Sequence, residues 1–220
     1  MSNSPVIAFL NKMTDLILLN VLWIICCIPV VTAGAATTAA YYVSITSIRC
    51  GDGYVIKRFF TSFRKNFRQI TPVWIGIFIS GFILAADMLF WYRMGSGFAK
   101  IMFIISAVVA FLLLIWVLWI FPVFAKLEGR TRELLKNAAA FAIGYFPYTV
   151  IVLIITGVVI YANLVSLVAN SIMLFIGFAL LSYIKSFFFY RVFMNHIDEK
   201  YDDFDRPEES FFVQNERDKK

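Results

Sequence analysis

The sequence is poor in the residues that carry most enzyme chemistry. It has one histidine, His196, and three cysteines, with no Cys-x-x-Cys spacing and no Cys/His pairing that would bind zinc. It also lacks a glycine-rich phosphate loop and a motif that would present a catalytic serine. From these absences we expect a protein that is not an enzyme and that binds no cofactor and no metal.

Charged residues are scarce as well. They make up 15% of the 220 residues, whereas 61% are hydrophobic. Soluble domains contain about a quarter charged residues and about half apolar ones, so the composition predicts a chain that has lipid as its solvent. The net charge of +6 does not indicate nucleic-acid binding, because Lys and Arg fall between apolar blocks rather than on one basic face.

Apolar blocks separated by turn signals predict an all-α fold, a polytopic transmembrane helix bundle over residues 1–194. Ser4-Pro5 is a typical helix start, Pro29 and Gly34 bracket a break, and Gly95-Ser96-Gly97 marks a turn. A five-span version merges residues 16–42 into one helix. The six predicted spans cover residues of about 5–28, 34–50, 72–92, 100–124, 145–162 and 165–190.

Residues 54–70 have the clearest helical periodicity and predict a basic amphipathic helix in the headgroup plane. Phe and Ile recur on one face. Two roles fit such a helix: a docking surface for a partner or for anionic lipid, or a connector that rests on the bilayer. The cations on its other positions are Lys57, Arg58, Arg64, Lys65 and Arg68.

The distribution of cations predicts the orientation in the membrane. In the six-span arrangement, most Lys and Arg between the spans fall on one side, and the opposite loops carry only Arg93 and Lys100. Cytoplasmic loops collect Lys and Arg, so we expect a multi-pass protein of the bacterial cytoplasmic membrane with both termini in the cytoplasm. The five-span version moves only the N-terminus outside. Residues 195–220 are rich in Asp and Glu, and we expect them to form an acidic cytosolic tail.

Asn20 and Asp87 fall inside predicted spans, where polar residues are costly and often functional. Asn20 is expected to join an interhelical hydrogen bond. Asp87 could ligate a cation, hold a partner helix, or pair with Arg93 or Lys100 near the membrane surface.

Small residues recur four apart over residues 34–40 and again at Gly76 and Ser80. In lipid, helices adhere where small side chains let their backbones approach, and hydroxyls can bond across the contact. Such strips serve either the internal packing of the bundle or contact with a partner. The residues predicted for these contacts are Pro29, Gly34, Thr37, Thr38, Tyr41, Gly76 and Ser80.

The run CIPVVTAGAATTAAYY over residues 27–42 resembles the signature of the YesL family of bacterial integral membrane proteins, a DUF624-like group. The basic aromatic stretch at residues 59–67 and Phe121-Pro122 resemble further blocks, so the similarity covers roughly residues 15–195. The resemblance implies a small membrane protein often encoded beside carbohydrate importers of the ATP-binding-cassette (ABC) type and polysaccharide-degrading enzymes. It brings no catalytic residues.

Three functions follow as hypotheses. The leading one, which rests on the resemblance, is a non-catalytic accessory subunit that docks on the permease of an oligosaccharide ABC importer. The second is a self-contained transporter or channel for a small solute, which needs polar residues that converge at mid-membrane. The third is a membrane regulator or assembly factor for polysaccharide utilisation that acts through the tail.

Overall fold

A computed structural model describes residues 5–50 and 54–194, which form helices joined by short turns and contain no strand. The predicted acidic tail and His196 lie outside these ranges. The helices are α1 (Pro5–Cys27), α2 (Ala33–Cys50), α3 (Val55–Met94), α4 (Gly97–Lys126), α5 (Thr131–Gly144), α6 (Phe146–Val165), α7 (Leu167–Ile172) and α8 (Phe178–Met194), with a 3₁₀ turn at Val30–Thr32 and a π-helical turn at Met173–Gly177.

Five helical segments are long and apolar enough to cross a membrane, which confirms the predicted all-α class and indicates a multi-pass membrane protein. The second of the six predicted spans, residues 34–50 in α2, is not among them, so six spans are not confirmed. The five segments are Phe9–Cys27, Val55–Met94, Gly97–Lys126, Phe146–Val165 and Asn170–Phe193.

The chain breaks between α1 and α2, where the five-span version required one continuous helix over residues 16–42. Pro29 has an extended backbone, and its carbonyl accepts hydrogen bonds from the backbone N–H of Thr32 at 2.9 Å and from the Thr32 hydroxyl at 2.7 Å. The same hydroxyl also contacts the carbonyl of Cys26, at the end of α1. Because these bonds close a tight turn, the merged helix is wrong.

α2 is the central helix of the bundle and packs against α1, α3, α4 and α8. Four of its alanines, Ala35, Ala36, Ala39 and Ala40, are completely covered. With 18 residues, α2 is about 27 Å long. Its many hydroxyl-bearing side chains lower its hydropathy, and a helix enclosed by protein does not need the apolar surface that a lipid-facing helix needs.

α3 continues through Pro72 as one helix of 40 residues, about 60 Å long. The predicted helix over 54–70 and the predicted span over 72–92 are therefore parts of one element. Val55 and Phe59 are buried with residues of α1 and α2, and Ile70 is buried among residues of α4. Because this apolar face contacts protein rather than lipid, the predicted interfacial helix is not confirmed.

α1 and α2 form an antiparallel hairpin. Lys12 Nζ donates to Ser47 Oγ at 2.9 Å, and Trp23 Nε1 donates to Thr37 Oγ1 at 3.2 Å. The turn of this hairpin lies beside the middle of α3, where Trp74 Nε1 donates to the carbonyl of Val30 at 2.7 Å.

α3 and α4 form a second antiparallel hairpin, in which the ring of Trp74 lies 6.0 Å from that of Phe121. Beyond Trp74, α3 continues for roughly twenty residues to Met94, a distance of about 30 Å. The turn at Gly95 is therefore separated along α3 from the α1–α2 turn by about the thickness of the hydrocarbon core of a bilayer.

α5 was not predicted from the sequence. It packs on the second half of α4, where Trp116 Nε1 donates to the carbonyl of Leu135 at 3.1 Å. The fully buried Trp119 joins this region to α6, since its Nε1 donates to Thr149 Oγ1 at 2.9 Å.

α2 and α3 approach each other closely at Gly34. A Cβ atom at this position would lie 2.6 Å from Trp74 Cβ and 2.8 Å from Trp74 Cγ. Both atoms are close to the α3 backbone and cannot move away as a flexible side-chain end could. The absence of a side chain at Gly34 is therefore a condition for this contact.

We predict that Gly34→Ala lowers the free energy of unfolding by about 1–3 kcal/mol, the usual cost of overpacking. Gly76→Ala is the matched control on α3, since a Cβ there meets no described atom within 4 Å. Thermal unfolding of the purified variants in one detergent would measure both effects. Equal melting temperatures for Gly34→Ala and the wild type would contradict the proposed contact.

Candidate functional site

The small-residue strip of α2 faces other helices of the same chain. Gly34 lies against Trp74, and Tyr41 is buried with its ring 5.9 Å from that of Phe189. Thr37 accepts the bond from Trp23, whereas Thr38 donates to the carbonyl of Gly34 within its own helix at 2.9 Å. This part of the strip is therefore not exposed to another protein.

The second set of small residues lies on the outer surface of α3. Gly76 and Ser80 are exposed, and Ser80 Oγ donates to the carbonyl of Gly76 at 2.8 Å. A Cβ atom built on Gly76 or on Gly81 meets no atom of the described chain within 4 Å. Because the hydroxyl is satisfied locally, this surface is small, smooth and open to an external helix.

Asn20 bridges α1 and the π-helical turn before α8. The side chain is fully buried; its Nδ2 donates to the carbonyl of Leu174 at 2.7 Å, and its Oδ1 accepts from the backbone N–H of Ala179 at 3.1 Å. A π-helical turn leaves backbone groups without their α-helical partners, and a buried amide with one donor and one acceptor can satisfy one of each kind. Asn20 therefore acts as an interhelical clamp.

Asp87 is on α3, and its side chain contacts α4. Its carboxylate accepts a hydrogen bond from Trp91 Nε1 at 3.0 Å and another from the hydroxyl of Ser106. In the described part of the chain neither Arg93 nor Lys100 forms an ion pair with it. The carboxylate therefore ties the two helices of the second hairpin together through neutral donors.

The five predicted cations of residues 54–70 surround the first half of α3. Lys57, Arg64 and Lys65 are exposed, as is Arg68, whereas Arg58 is half-buried. Arg58 shares a small cavity with Lys12 and Asp15 of α1. The N-terminal part of α1 and the start of α3 are therefore at the same end of the molecule.

Two bonds tie the middle of this basic segment to the turn after α4. Lys65 forms an ion pair with Glu128, and Gln69 Nε2 donates to the carbonyl of Gly129 at 2.7 Å. The basic segment is therefore held by protein contacts on one side and leaves most of its cations on the surface.

The predicted polar residues do not converge on a single site. Asn20 contacts the π-helical turn, Thr37 contacts Trp23, and Asp87 contacts Trp91 and Ser106. Within residues 5–50 and 54–194, no group of three His, Cys, Asp or Glu side chains is placed to hold a metal ion.

Sequence analysis missed a buried polar pair, Ser62 and Asn66. These side chains are 3% and 8% exposed, and Asn66 Nδ2 donates to the Ser62 carbonyl at 3.1 Å and to Ser62 Oγ at 3.2 Å. Ser62 and Asn66 share the buried face with Phe59 and Ile70 at spacings of three or four residues. Polar residues on the apolar stripe were the signal that could have revealed them.

Residues 16–88 match the family described as "Protein of unknown function, DUF624". This supports a DUF624-like resemblance. The matched region covers about a third of the chain, namely most of α1, all of α2 and most of α3, where the clamp at Asn20 and the contact at Gly34 lie. No curated protein and no solved structure matches the chain.

The clamp at Asn20 leads to a prediction. Asn20→Ala should lower the free energy of unfolding by about 1–2 kcal/mol, because the Leu174 carbonyl and the buried Ala179 N–H both lose their partner. It should also speed hydrogen exchange at the backbone N–H of Ala179.

Asn163→Ala is the matched control, because the side-chain amide of Asn163 donates to the carbonyl of Val159 in its own helix at 2.8 Å and bonds to no other helix among the described residues. Thermal unfolding and hydrogen-exchange mass spectrometry would compare the two variants. Unchanged exchange at Ala179 in Asn20→Ala would rule out the clamp.

Proposed function

We propose that this chain is a non-catalytic accessory subunit of the bacterial cytoplasmic membrane that docks on the permease of an oligosaccharide ABC importer. The observation that carries the docking is the outer surface of α3 at Gly76 and Ser80, where small residues lie open beside exposed apolar side chains such as Phe78 and Ile79. The importer as partner comes from the YesL resemblance of residues 27–42.

The choice of α3 as the docking helix follows from the packing of α2. Gly34 and Thr38 are already in contact with helices of the same chain and have no free face. Gly76 and Gly81, by contrast, allow another backbone to approach, and close approach is the main source of helix association in lipid. A permease helix with its own small residues at a spacing of four would fit this surface.

The exposed cations of α3 give the subunit a second contact. Lys57, Arg64 and Arg68 form a basic surface at the end of the bundle where α3 begins. Such a surface attracts the anionic headgroups of the cytoplasmic leaflet. We therefore include anionic lipid among the partners, together with the bilayer itself.

The two other functions have weaker support. A self-contained transporter or channel needs polar groups along one passage, but Asn20, Thr37 and Asp87 each bond to protein at a separate place. A regulator or assembly factor would act through residues 195–220, which lie outside the described residues.

The docking proposal predicts that Gly76→Ile separates the protein from its partner. Affinity purification in mild detergent from native membranes should recover permease subunits with the wild-type protein. Recovery with Gly76→Ile should fall to less than about a tenth, because a branched side chain prevents the close approach of two helices.

Gly157→Ile is the matched control, since Gly157 is also exposed on an apolar helix, α6, and also has open space around its Cα. It should retain the partner. Equal recovery with both variants would reject α3 as the docking surface, and a wild-type protein that repeatedly purifies alone would reject the accessory role.

For the membrane arrangement, we infer that the start of α3, the α4–α5 turn and both termini face the cytoplasm. The α3–α4 hairpin then crosses the bilayer. The α1–α2 turn does not reach the outer face, because it lies about 30 Å from the α3–α4 turn along α3. The six-span arrangement predicted from the sequence requires this turn to reach the outer face.

Single cysteines in a cysteine-free background would distinguish the two arrangements. An impermeant maleimide added to intact cells should label Met94→Cys, and Asn137→Cys should react only after permeabilisation. Val31→Cys should stay unlabelled from outside. Labelling of Val31→Cys from outside would establish six complete spans, and labelling of Asn137→Cys would invert the orientation.

A further inference from the structure

A polar cleft opens at the end of the bundle where the basic segment of α3 meets α4. It has a volume of about 220 Å³, more than ten times the roughly 15 Å³ that one water molecule needs. The first half of α3 forms one wall, and the end of α4 with the α4–α5 turn forms the other. Tyr42 of α2 also lines it. Neither the docking surface nor the clamp at Asn20 includes this cleft.

The buried pair Ser62 and Asn66 supplies hydrogen-bonding groups to the cleft. The Asn66 amide uses its Nδ2 to bond Ser62, so that Ser62 Oγ accepts a hydrogen bond while its own hydrogen remains to be donated. Asn66 Oδ1 accepts no bond from the described chain. Both residues line the cleft and are more than nine-tenths buried. Buried polar groups of this kind are costly unless water or a ligand bonds them.

Cations lie on both walls of the cleft. Lys65 on α3 and Lys126 at the end of α4 line it. Positive charge on two sides of a concave surface concentrates anions there. Hydroxyl and ammonium donors at the same place are the groups that bind the oxygens of a phosphoryl group.

The carboxylate of Glu128 is an anion that already lines the cleft. Its carboxylate contacts Lys65 Nζ, and the side chains of Lys65 and Glu128 are 38% and 52% exposed. An exposed ion pair of this kind contributes little to stability, so an external anion can replace the carboxylate at small cost. A phosphoryl group carries as much negative charge as a carboxylate or more, and offers additional oxygens to Ser62 and Lys126.

We propose that this cleft binds a phosphate-bearing ligand, whose phosphoryl oxygens replace the Glu128 carboxylate at Lys65 and accept a hydrogen bond from the Ser62 hydroxyl. The ligand is either a phospholipid headgroup from the cytoplasmic leaflet or a soluble phosphate compound, since both present the same group. The site does not depend on the docking of α3 to a permease.

Because Glu128 competes with the ligand for Lys65, the proposal predicts the direction in which a Glu128 substitution changes phosphate affinity. Glu128→Gln removes the competing carboxylate and should tighten phosphate binding several-fold, a gain that an unfolded variant could not produce. Lys65→Gln should weaken binding by about tenfold or more, the loss expected for a charge-assisted bond. Arg132→Gln removes one charge from the same end of the molecule but outside the cleft, and should change binding by less than about twofold.

Isothermal titration calorimetry of the full chain in detergent with inorganic phosphate, at ionic strength held constant with chloride, would measure these affinities. Native mass spectrometry from nanodiscs with phosphatidylglycerol would test the lipid source with the same variants. Binding of phosphate alone assigns a soluble ligand, and retention of phosphatidylglycerol alone assigns a headgroup. No binding of either probe, an unchanged affinity in Glu128→Gln, or an equal loss in Lys65→Gln and Arg132→Gln would overturn the proposal.

Discussion

The close packing of α3 on α2 is the contact on which the rest of the bundle depends. It requires that Gly34 has no side chain and that the neighbouring alanines stay small, because Trp74 occupies the space at the α2 backbone. In lipid there is little hydrophobic force between helices, so dispersion over such close contacts must hold them together. α1, α4 and α8 then pack around the same central helix, and the position of α2 determines where each of them can lie.

This central position explains which parts of the fold could be predicted from the sequence. The helical class and the breaks at Pro29 and Gly95 follow from local patterns, since composition, proline and glycine act at the level of the backbone. The sequence divides residues 54–70 from 72–92, whereas α3 runs through Pro72 as one helix that has packing contacts on both sides of the proline. α5 was missed because its 14 residues are too short and too polar for a span.

The positions of the candidate site residues also depend on tertiary contacts that local sequence patterns do not encode. The pattern of small residues located Gly34 and Gly76 equally well, but only the three-dimensional packing separates the first, which faces Trp74, from the second, which faces outward. Lys185 gives a further example. A lysine side chain is long enough to reach the membrane surface from within a span, but Lys185 is buried on the face of α8 that also carries Ser182 and Ser186. A periodic pattern identifies a buried face and does not identify what covers it.

The basic segment of α3, residues 55–70, shows how packing decides the role of a sequence pattern. An amphipathic helix rich in Phe and cations has the same sequence pattern whether its apolar face meets lipid or protein. Here α1, α2 and α4 cover that face, and one of the five cations, Lys65, lines a cleft between α3 and the end of α4. Two polar residues on the covered face, Ser62 and Asn66, would be unfavourable against hydrocarbon and are acceptable beside a hydrated cleft. Their presence on the apolar stripe therefore argues that this stripe faces protein and a polar cleft rather than lipid.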